Sequence, residues 1–163
     1  MSFTLRPLAP DDRDWVERFM VEHWGTPTVV AHGAVYRPAE LPGFVTIADG
    51  AAVGLVTYHI EGRACEIVTL DSLVERRGVG VAVIDAVKGA AVGAGCKRLW
   101  MVTTNDNTRA LRFYQKRGFA LVALRANAVA ASRQLKPEIP LFGNDGIPIR
   151  DEIELEVALD RDR

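Results

Sequence analysis

The sequence predicts a mixed α/β fold in which helices flank one sheet. Stretches with strand-like alternation are interspersed with segments whose apolar residues recur every three to four positions, as in helices. Three of the strands follow one another with only short turns between them, which favours antiparallel pairing. The chain has 163 residues, of which 48% are hydrophobic, enough for one complete core. We therefore expect a single domain over residues 1–163.

The first part of the chain is predicted to form a strand, a helix and an irregular segment. Alternation over residues 3–6 predicts the strand, and Asp11 is expected to cap a helix whose apolar positions begin at Trp15 and continue to His23. Three prolines interrupt residues 25–43, so a loop or a short helix is expected there.

An antiparallel meander is predicted next, with strands over residues 44–48, 52–60 and 65–73. Glycine-containing pairs at positions 49–50 and 61–62 separate these strands and are typical of tight turns. The order of the elements therefore places an antiparallel sheet before the second half of the chain.

The second half alternates between helices and strands. Its helices are expected over residues 79–92, from Asn105 or Asn107 to Gly118, and over 126–135; its strands are expected over 98–103, 119–124 and 152–159. Seven strands in all are predicted.

A glycine motif, Arg76-Arg77-Gly78-Val79-Gly80-Val81, stands where an apolar strand gives way to a helix. At such a junction, backbone N–H groups and the positive helix end can bind a phosphate group. A dinucleotide fingerprint would need a third glycine where Val83 stands, and a Walker loop would need a following Gly-Lys-Ser/Thr. The motif indicates a pyrophosphate-bearing ligand; a tight turn that only packs the helix is the structural alternative.

A second motif follows the next predicted strand and fits the pattern N-x-x-A-x-x-x-Y-x-K-x-G-F. Its matching residues are Asn107, Ala110, Tyr114, Lys116, Gly118 and Phe119. With both motifs, and with this order of strands and helices, the chain resembles the GNAT superfamily of acyl-CoA-dependent N-acyltransferases. The family's acyl-CoA loop, Q/R-x-x-G-x-G/A, is similar to residues 75–80, where Glu75 replaces the usual Gln or Arg.

The resemblance implies a mixed, mostly antiparallel sheet of about seven strands, flanked by helices, with a splayed strand pair that holds the cofactor. It implies acetyl-CoA, or another acyl-CoA, as co-substrate, and no metal. The residues expected to bind the co-substrate are Leu70, Leu73, Arg76, Arg77, Gly78, Val79, Gly80, Val81, Asn107, Ala110 and Tyr114. For Asn107, a plain helix cap is the alternative role.

Two side chains are the candidate catalytic residues. By resemblance, Tyr114 is expected to give a proton to the leaving thiolate; packing in the core is its alternative role. Glu66, on the strand before the glycine motif, is the first candidate for the base that deprotonates the amine. Asp71, His32 and His59 are weaker candidates for that base.

The composition and the two long loops indicate which binding partners to expect. The net charge of -1 and the pI near 6.3 argue against nucleic-acid or membrane binding. Two cysteines fit neither a disulfide scaffold nor a metal site, and the N-terminus resembles no targeting segment, so a cytoplasmic protein is expected. Loops at 24–44 and 126–151 are expected to line the site of an amine-bearing small molecule or peptide. Pairing of the closing strand would allow a homodimer.

The function expected from these features is the transfer of an acetyl or other acyl group from acyl-CoA directly to a primary amine, without a covalent enzyme intermediate. The identity of the amine does not follow from the fold. Two alternatives stay open: a noncatalytic acyl-CoA-binding sensor or interaction module of the same fold, and a nucleotide-dependent oxidoreductase.

Overall fold

A computed structural model describes residues 2–75 and 78–159 of the chain. Within these residues the strands are β1 (Thr4–Pro7), β2 (Val29–Ala31), β3 (Ala34–Tyr36), β4 (Gly43–Ala48), β5 (Ala51–Glu61), β6 (Ala64–Ser72), β7 (Arg98–Thr104), β8 (Ala120–Arg125) and β9 (Glu152–Ala158). The α-helices are α1 (Arg13–Trp24), α2 (Val79–Gly93), α3 (Thr108–Lys116) and α4 (Ala128–Leu135). Short 3-10 turns occupy Pro10–Asp12, Pro38–Glu40 and Asn144–Gly146.

Seven of the strands belong to one sheet, in the order β1-β4-β5-β6-β7-β9-β8, and β2 pairs with β3. The pairs β1–β4, β4–β5, β5–β6 and β8–β9 are antiparallel. The predicted fold class, a mostly antiparallel sheet of seven strands flanked by helices, is confirmed. The predicted meander corresponds to β4, β5 and β6.

The chain divides into two compact units. The first unit comprises the described parts of Met1–Val29, Arg37–Leu99 and Ala158–Arg163, and the second comprises Val30–Tyr36 and Trp100–Val157. The meander, α1 and α2 therefore belong to the first unit, whereas α3, α4, β8 and nearly all of β9 belong to the second.

The first unit packs α1 and α2 on opposite faces of β5. Leu55 belongs to a buried cluster with the apolar residues of α1, whereas its neighbour Gly54 approaches Val79 at the start of α2. Successive residues of a strand point to opposite faces, so odd-numbered residues of this part of β5 face α1. The rest of the cluster consists of Val16, Phe19, Met20 and Val29.

Helix α1 begins one residue later than the capping prediction. Asp12, not Asp11, is its N-cap residue, and a proline-led 3-10 turn precedes it. The Asp12 carboxylate accepts hydrogen bonds from Arg6 (2.8 and 2.9 Å), from the Ala9 N–H (2.7 Å) and from Trp15 Nε1 (2.6 Å). The Arg6 hydrogen bonds are the main cause that holds the pKa of Asp12 far below its usual range.

Residues 25–43 contain more structure than the sequence predicts. A small β2–β3 hairpin turns at His32 and Gly33, whose φ angles of 42° and 80° lie in the left-handed region. Each of these strands has only three residues, too few for a readable alternation.

Strand β6 contains a β-bulge at Val68. Thr57 of β5 is opposite Thr69, but the next residue, Tyr58, is opposite Ile67, so Val68 is an extra residue on β6. Val68 packs against the α1 cluster. A bulge of this kind reverses the face on which the preceding residues of the strand lie.

Candidate active site

The loop between β6 and α2 leads into an exposed helix N-terminus. Gly78 is the N-cap of α2, with a left-handed φ of 75°, and as a glycine it offers no side chain to cap the helix. The Ala82 N–H donates to the Gly78 carbonyl (3.0 Å), so the N–H groups of Val79, Gly80 and Val81 precede the intrahelical ladder. Such groups suit an anionic ligand. The predicted contacts of Arg76 and Arg77 lie outside the described residues.

The end of β6 carries the two leucines that the sequence assigns to co-substrate binding. Leu70 is half-buried and is opposite Val56 of β5. Leu73 is 46% exposed, and its N–H donates to the Val53 carbonyl (2.8 Å). The backbone N–H of Leu73 is therefore engaged within the first unit.

The bulge places Glu66 and Asp71 on the same face of the sheet. Glu66 is opposite His59 and Asp71 is opposite Leu55, and both partners are odd-numbered residues of β5. Between them, the buried hydroxyls of Thr57 and Thr69 are 2.6 Å apart. Without the bulge, the five-residue separation would place the two carboxyls on opposite faces. The α1 face of the meander thus carries a row of polar groups.

The two carboxyls of this row differ in their surroundings. Glu66 is buried, with 3% of its surface exposed, whereas Asp71 is half-buried at the end of the strand. Trp24 Nε1 donates to both oxygens of Asp71, at 3.0 and 3.2 Å. Burial raises the pKa of Asp71 to about 6; the Trp24 hydrogen bond and the nearby His23 oppose this effect.

Helix α3 presents the asparagine and the alanine of the second motif. Asn107 is the N-cap residue, and its Oδ1 accepts a hydrogen bond from the Ala110 N–H (3.2 Å). The Leu111 N–H donates to the Asn107 carbonyl (3.1 Å). The capping role of Asn107 is therefore present, and its side-chain amide group also has two N–H donors.

Tyr114 lies in the last turn of α3, within an aromatic cluster. Its residue surface is 4% exposed, and its ring packs edge-on against Phe113 (5.4 Å) and Phe119 (5.1 Å). The Tyr114 carbonyl accepts the N–H groups of Arg117 and Phe119, and Gly118 follows with a φ of 92°. A left-handed glycine after the last turn is a common helix stop, as the sequence predicts.

The two histidines weighed as bases lie in different units. His59 is on the same face of the first unit as Glu66, and its Nε2 is 3.9 Å from a carboxylate oxygen of Glu61. His32 is at the hairpin turn of the second unit, where its ring lies 5.1 Å from that of Trp100 and its N–H donates to Glu152 (3.0 Å).

Several polar residues of the two predicted acceptor loops hold local structure. Arg37 forms an ion pair with Glu17 (2.9 Å) on the surface of the first unit. In the second unit, Arg133 donates to the carbonyls of residues 139, 140 and 149, and the backbone and side chain of Asn144 bind Asp106. The sequence indicated no role for Asp106, and it placed Trp24 only at the start of an expected acceptor loop, whereas the structure places it at the end of α1. A tryptophan at a helix end gives no sequence signal for a contact 47 residues away.

The structure also bears on metal binding and membrane insertion. Across residues 2–75 and 78–159, His, Cys, Asp and Glu side chains nowhere gather in a group of three suited to a metal ion. None of the described helices is both long enough and apolar enough to cross a membrane.

Comparison with known proteins assigns the chain to a family. The model of the acetyltransferase (GNAT) family matches residues 9–119, about two thirds of the chain. The chain is also 44% identical over 143 residues to the uncharacterized protein YdhI of Bacillus subtilis, a match that covers 87% of this chain and 89% of that protein. The chain belongs to the GNAT acetyltransferase family.

Solved structures of this family share the fold. An IAA acetyltransferase from Bacillus cereus superposes with a TM-score of 0.70 at 18% identity, covering 97% of this chain and all of the other. A GNAT family acetyltransferase from Elizabethkingia anophelis, solved with acetyl-CoA bound, gives a TM-score of 0.68 at 18% identity, covering 96% and 98%. At this identity the likeness concerns the fold alone.

Proposed function

We propose that the chain is an N-acetyltransferase that moves an acetyl group from acetyl-CoA directly to a primary amine. The observation that carries this proposal is the N-terminus of α2 behind the left-handed Gly78, an N-cap residue without a side chain, in a chain of the GNAT family. A Cβ added to Gly78 would meet no atom of the described residues within 4 Å, so these residues leave room for a ligand at this turn. The related Elizabethkingia structure holds acetyl-CoA.

The binding roles are those that the family resemblance implies, and the local geometry of α2 and α3 supports them. The N–H groups of Val79, Gly80 and Val81 bind the pyrophosphate, and Arg76 and Arg77 add positive charge beside it. The β6 segment of Leu70 and Leu73, together with Asn107 and Ala110, binds the pantetheine arm. When bound, acetyl-CoA supplies an activated thioester.

The proton transfers are assigned to Tyr114 and Glu66. Tyr114 holds at Oη the proton that the leaving sulfur requires, and Glu66 accepts the proton of the attacking amine, directly or through water. The assignment of Glu66 as the base is supported by its burial within the row of polar groups on the α1 face of the meander. A direct transfer is favoured because both cysteines are buried, and burial raises the pKa of Cys65 to about 12, so that its thiol is a poor nucleophile.

A noncatalytic acyl-CoA sensor is the second candidate. It is favoured by Glu75, an exposed acidic residue where the family motif has Gln or Arg. An enzyme and a sensor make different use of Tyr114, since a sensor requires no proton donor.

A thiol-release assay separates these functions. The purified chain is incubated with acetyl-CoA and, in turn, putrescine, spermidine, lysine amide and a tetrapeptide with an N-terminal alanine, while calorimetry measures CoA and NAD binding. We expect CoA binding and amine-dependent thiol release. CoA binding without release on any amine would favour the sensor, and binding of NAD but not CoA would refute both.

A further inference from the structure

We propose that Asp71 binds a positively charged amino group of the acceptor, and that Trp24 positions the Asp71 carboxylate for this contact. The inference rests on the proposed acetyltransferase function and adds the group that recognises the acceptor's charge. Both residues belong to the first unit, at the end of β6 and at the end of α1.

The carboxylate of Asp71 has more hydrogen-bonding capacity than its neighbours use. One indole N–H of Trp24 is shared between Oδ1 and Oδ2, at 3.0 and 3.2 Å. Among residues 2–75 and 78–159, no other hydrogen bond or ion pair reaches this carboxylate. An ionised carboxylate offers about four lone-pair positions. A ligand with several N–H donors therefore has acceptor positions to bind.

Among the described residues, the charge of Asp71 is also incompletely compensated. The carboxyl is partly removed from water, and its one hydrogen-bond donor is neutral. His23 of α1 is the nearby titratable group that favours its ionised form, while Leu55 stands opposite on β5 and Thr69 precedes it on the same face. Desolvated carboxylates are costly unless a cation pairs with them, and such groups cluster at functional sites. An ammonium group would supply the missing charge.

The position of the pair suits an acceptor that approaches from solvent. Trp24 is 39% exposed, so the indole forms part of the accessible surface beside the carboxylate. Its ring adds a π-face that attracts a cation. Asp71 also lies within the β6 segment proposed to bind the acyl donor, which places charge recognition close to the transfer.

Asp71→Asn tests the role of the charge, because it keeps the shape and an oxygen for Trp24. With the best amine of the panel, we expect the KM for the amine to rise about tenfold or more, and kcat and the KM for acetyl-CoA to change less than about threefold. Trp24→Phe, which removes the indole N–H donor and keeps a smaller aromatic ring, should raise the same KM by a smaller factor. Asp85→Asn, an exposed control on α2, should change neither constant.

The pH profile gives a readout that a structural role would not produce. In the wild type, the KM for the amine should rise as the pH falls through about 6, where Asp71 becomes protonated. The Asp71→Asn variant should lack this rise. An unchanged amine KM in this variant, or a pH profile that keeps the rise, would refute the inference while the acetyltransferase function stands.

A binding measurement tests the contact even if no amine is turned over. Putrescine, titrated at millimolar concentration, should shift the Trp24 indole resonance in the wild type, and 1,4-butanediol, its uncharged counterpart, should not. The putrescine shift should vanish in Asp71→Asn, whose remaining spectrum should show an intact fold. Equal responses to both probes, or no response to either, would overturn the proposal. Failure of the proposed function is recognised separately, by the absence of CoA binding.

Discussion

Gly54, in the middle of β5, lies directly against Val79, the first residue of α2. A methyl group on Gly54 would overlap the Val79 side chain and the Thr46 hydroxyl. Gly54 and Val79 are both buried, and Val79 is 1% exposed. The absence of a side chain at position 54 therefore fixes how closely the N-terminus of α2 approaches the sheet.

Gly54→Ala is expected to displace the start of α2. Overpacking of a buried position costs about 1–3 kcal/mol, so the free energy of unfolding should fall by that amount. Affinity for acetyl-CoA should fall as well, because the displaced N–H groups are the proposed pyrophosphate ligands. Urea unfolding and calorimetry measure the two effects.

Gly89→Ala is the matched control for this change. Gly89 lies within the same helix, is exposed, and has open space where a Cβ would stand. Alanine there should raise the free energy of unfolding by about 0.5–1 kcal/mol and leave acetyl-CoA binding intact. Weaker binding in this variant alone would contradict the assignment of the effect to Val79.

Two substitutions of Asn107 distinguish its role as a helix cap from its proposed role in binding acetyl-CoA. Asn107→Ala removes the acceptor for the Ala110 N–H and should lower the free energy of unfolding by about 1 kcal/mol. Asn107→Asp keeps that acceptor but loses the amide donors, so stability should be retained while the Kd for acetyl-CoA rises. If Asn107→Asp bound acetyl-CoA as tightly as the wild type, Asn107 would be a cap only.

Tyr114→Phe is expected to lower kcat and leave the structure unchanged. Loss of a positioned proton donor typically costs about 10²–10⁴-fold in rate. The ring contacts with Phe113 and Phe119 are kept, so the thermal midpoint should change little. Tyr58→Phe removes a phenol from β5 as the control and should retain full activity. A wild-type kcat in Tyr114→Phe would assign this tyrosine to the core.

Asp12 is expected to stabilise the chain above its unfolded pKa. Its folded-state pKa is depressed, so the stabilisation is present near neutral pH and is lost as the pH falls below about 4. Asp12→Asn should lower the free energy of unfolding at pH 7 by about 1–2 kcal/mol and weaken the loss of stability in acid. Asp11→Asn, at the neighbouring exposed position, should change the free energy of unfolding little. Urea unfolding between pH 3 and 7 measures both variants.

The contribution of Asp71 to stability should depend on pH in the opposite direction to that of Asp12. Its pKa is raised to about 6 in the folded state, so the folded chain binds the proton more tightly and its stability falls as the pH rises from about 4 to 6. Asp71→Asn should therefore match or exceed the wild-type thermal midpoint at pH 8. A lower midpoint at that pH would indicate that the carboxylate holds the fold together.

The elements with long, regular patterns were predictable from the sequence, and the fold class with them. Asn107 and Gly118 mark the ends of α3 because a cap and a left-handed stop depend on residue type alone. The β2–β3 hairpin escaped prediction because its strands are too short. The start of α1 moved to Asp12 because an inserted 3-10 turn precedes the helix.

The candidate site could be predicted only in part. The motifs identify the residues, but the side of the sheet on which a side chain lies depends on pairing between strands. Alternation along β6 would separate Glu66 from Asp71, and only the register with β5 reveals that they share a face. The contact between Trp24 and Asp71 likewise arises from packing between distant segments.

The extra residue at Val68 makes strand length, as well as composition, a determinant of this surface. Deletion of that single valine would leave Ile67 opposite Tyr58 and Glu66 opposite His59, so regular alternation would keep Glu66 and Asp71 on the same face. A chain that kept this strand length but paired without the bulge would instead turn Glu66 towards α2, although both motifs were unchanged.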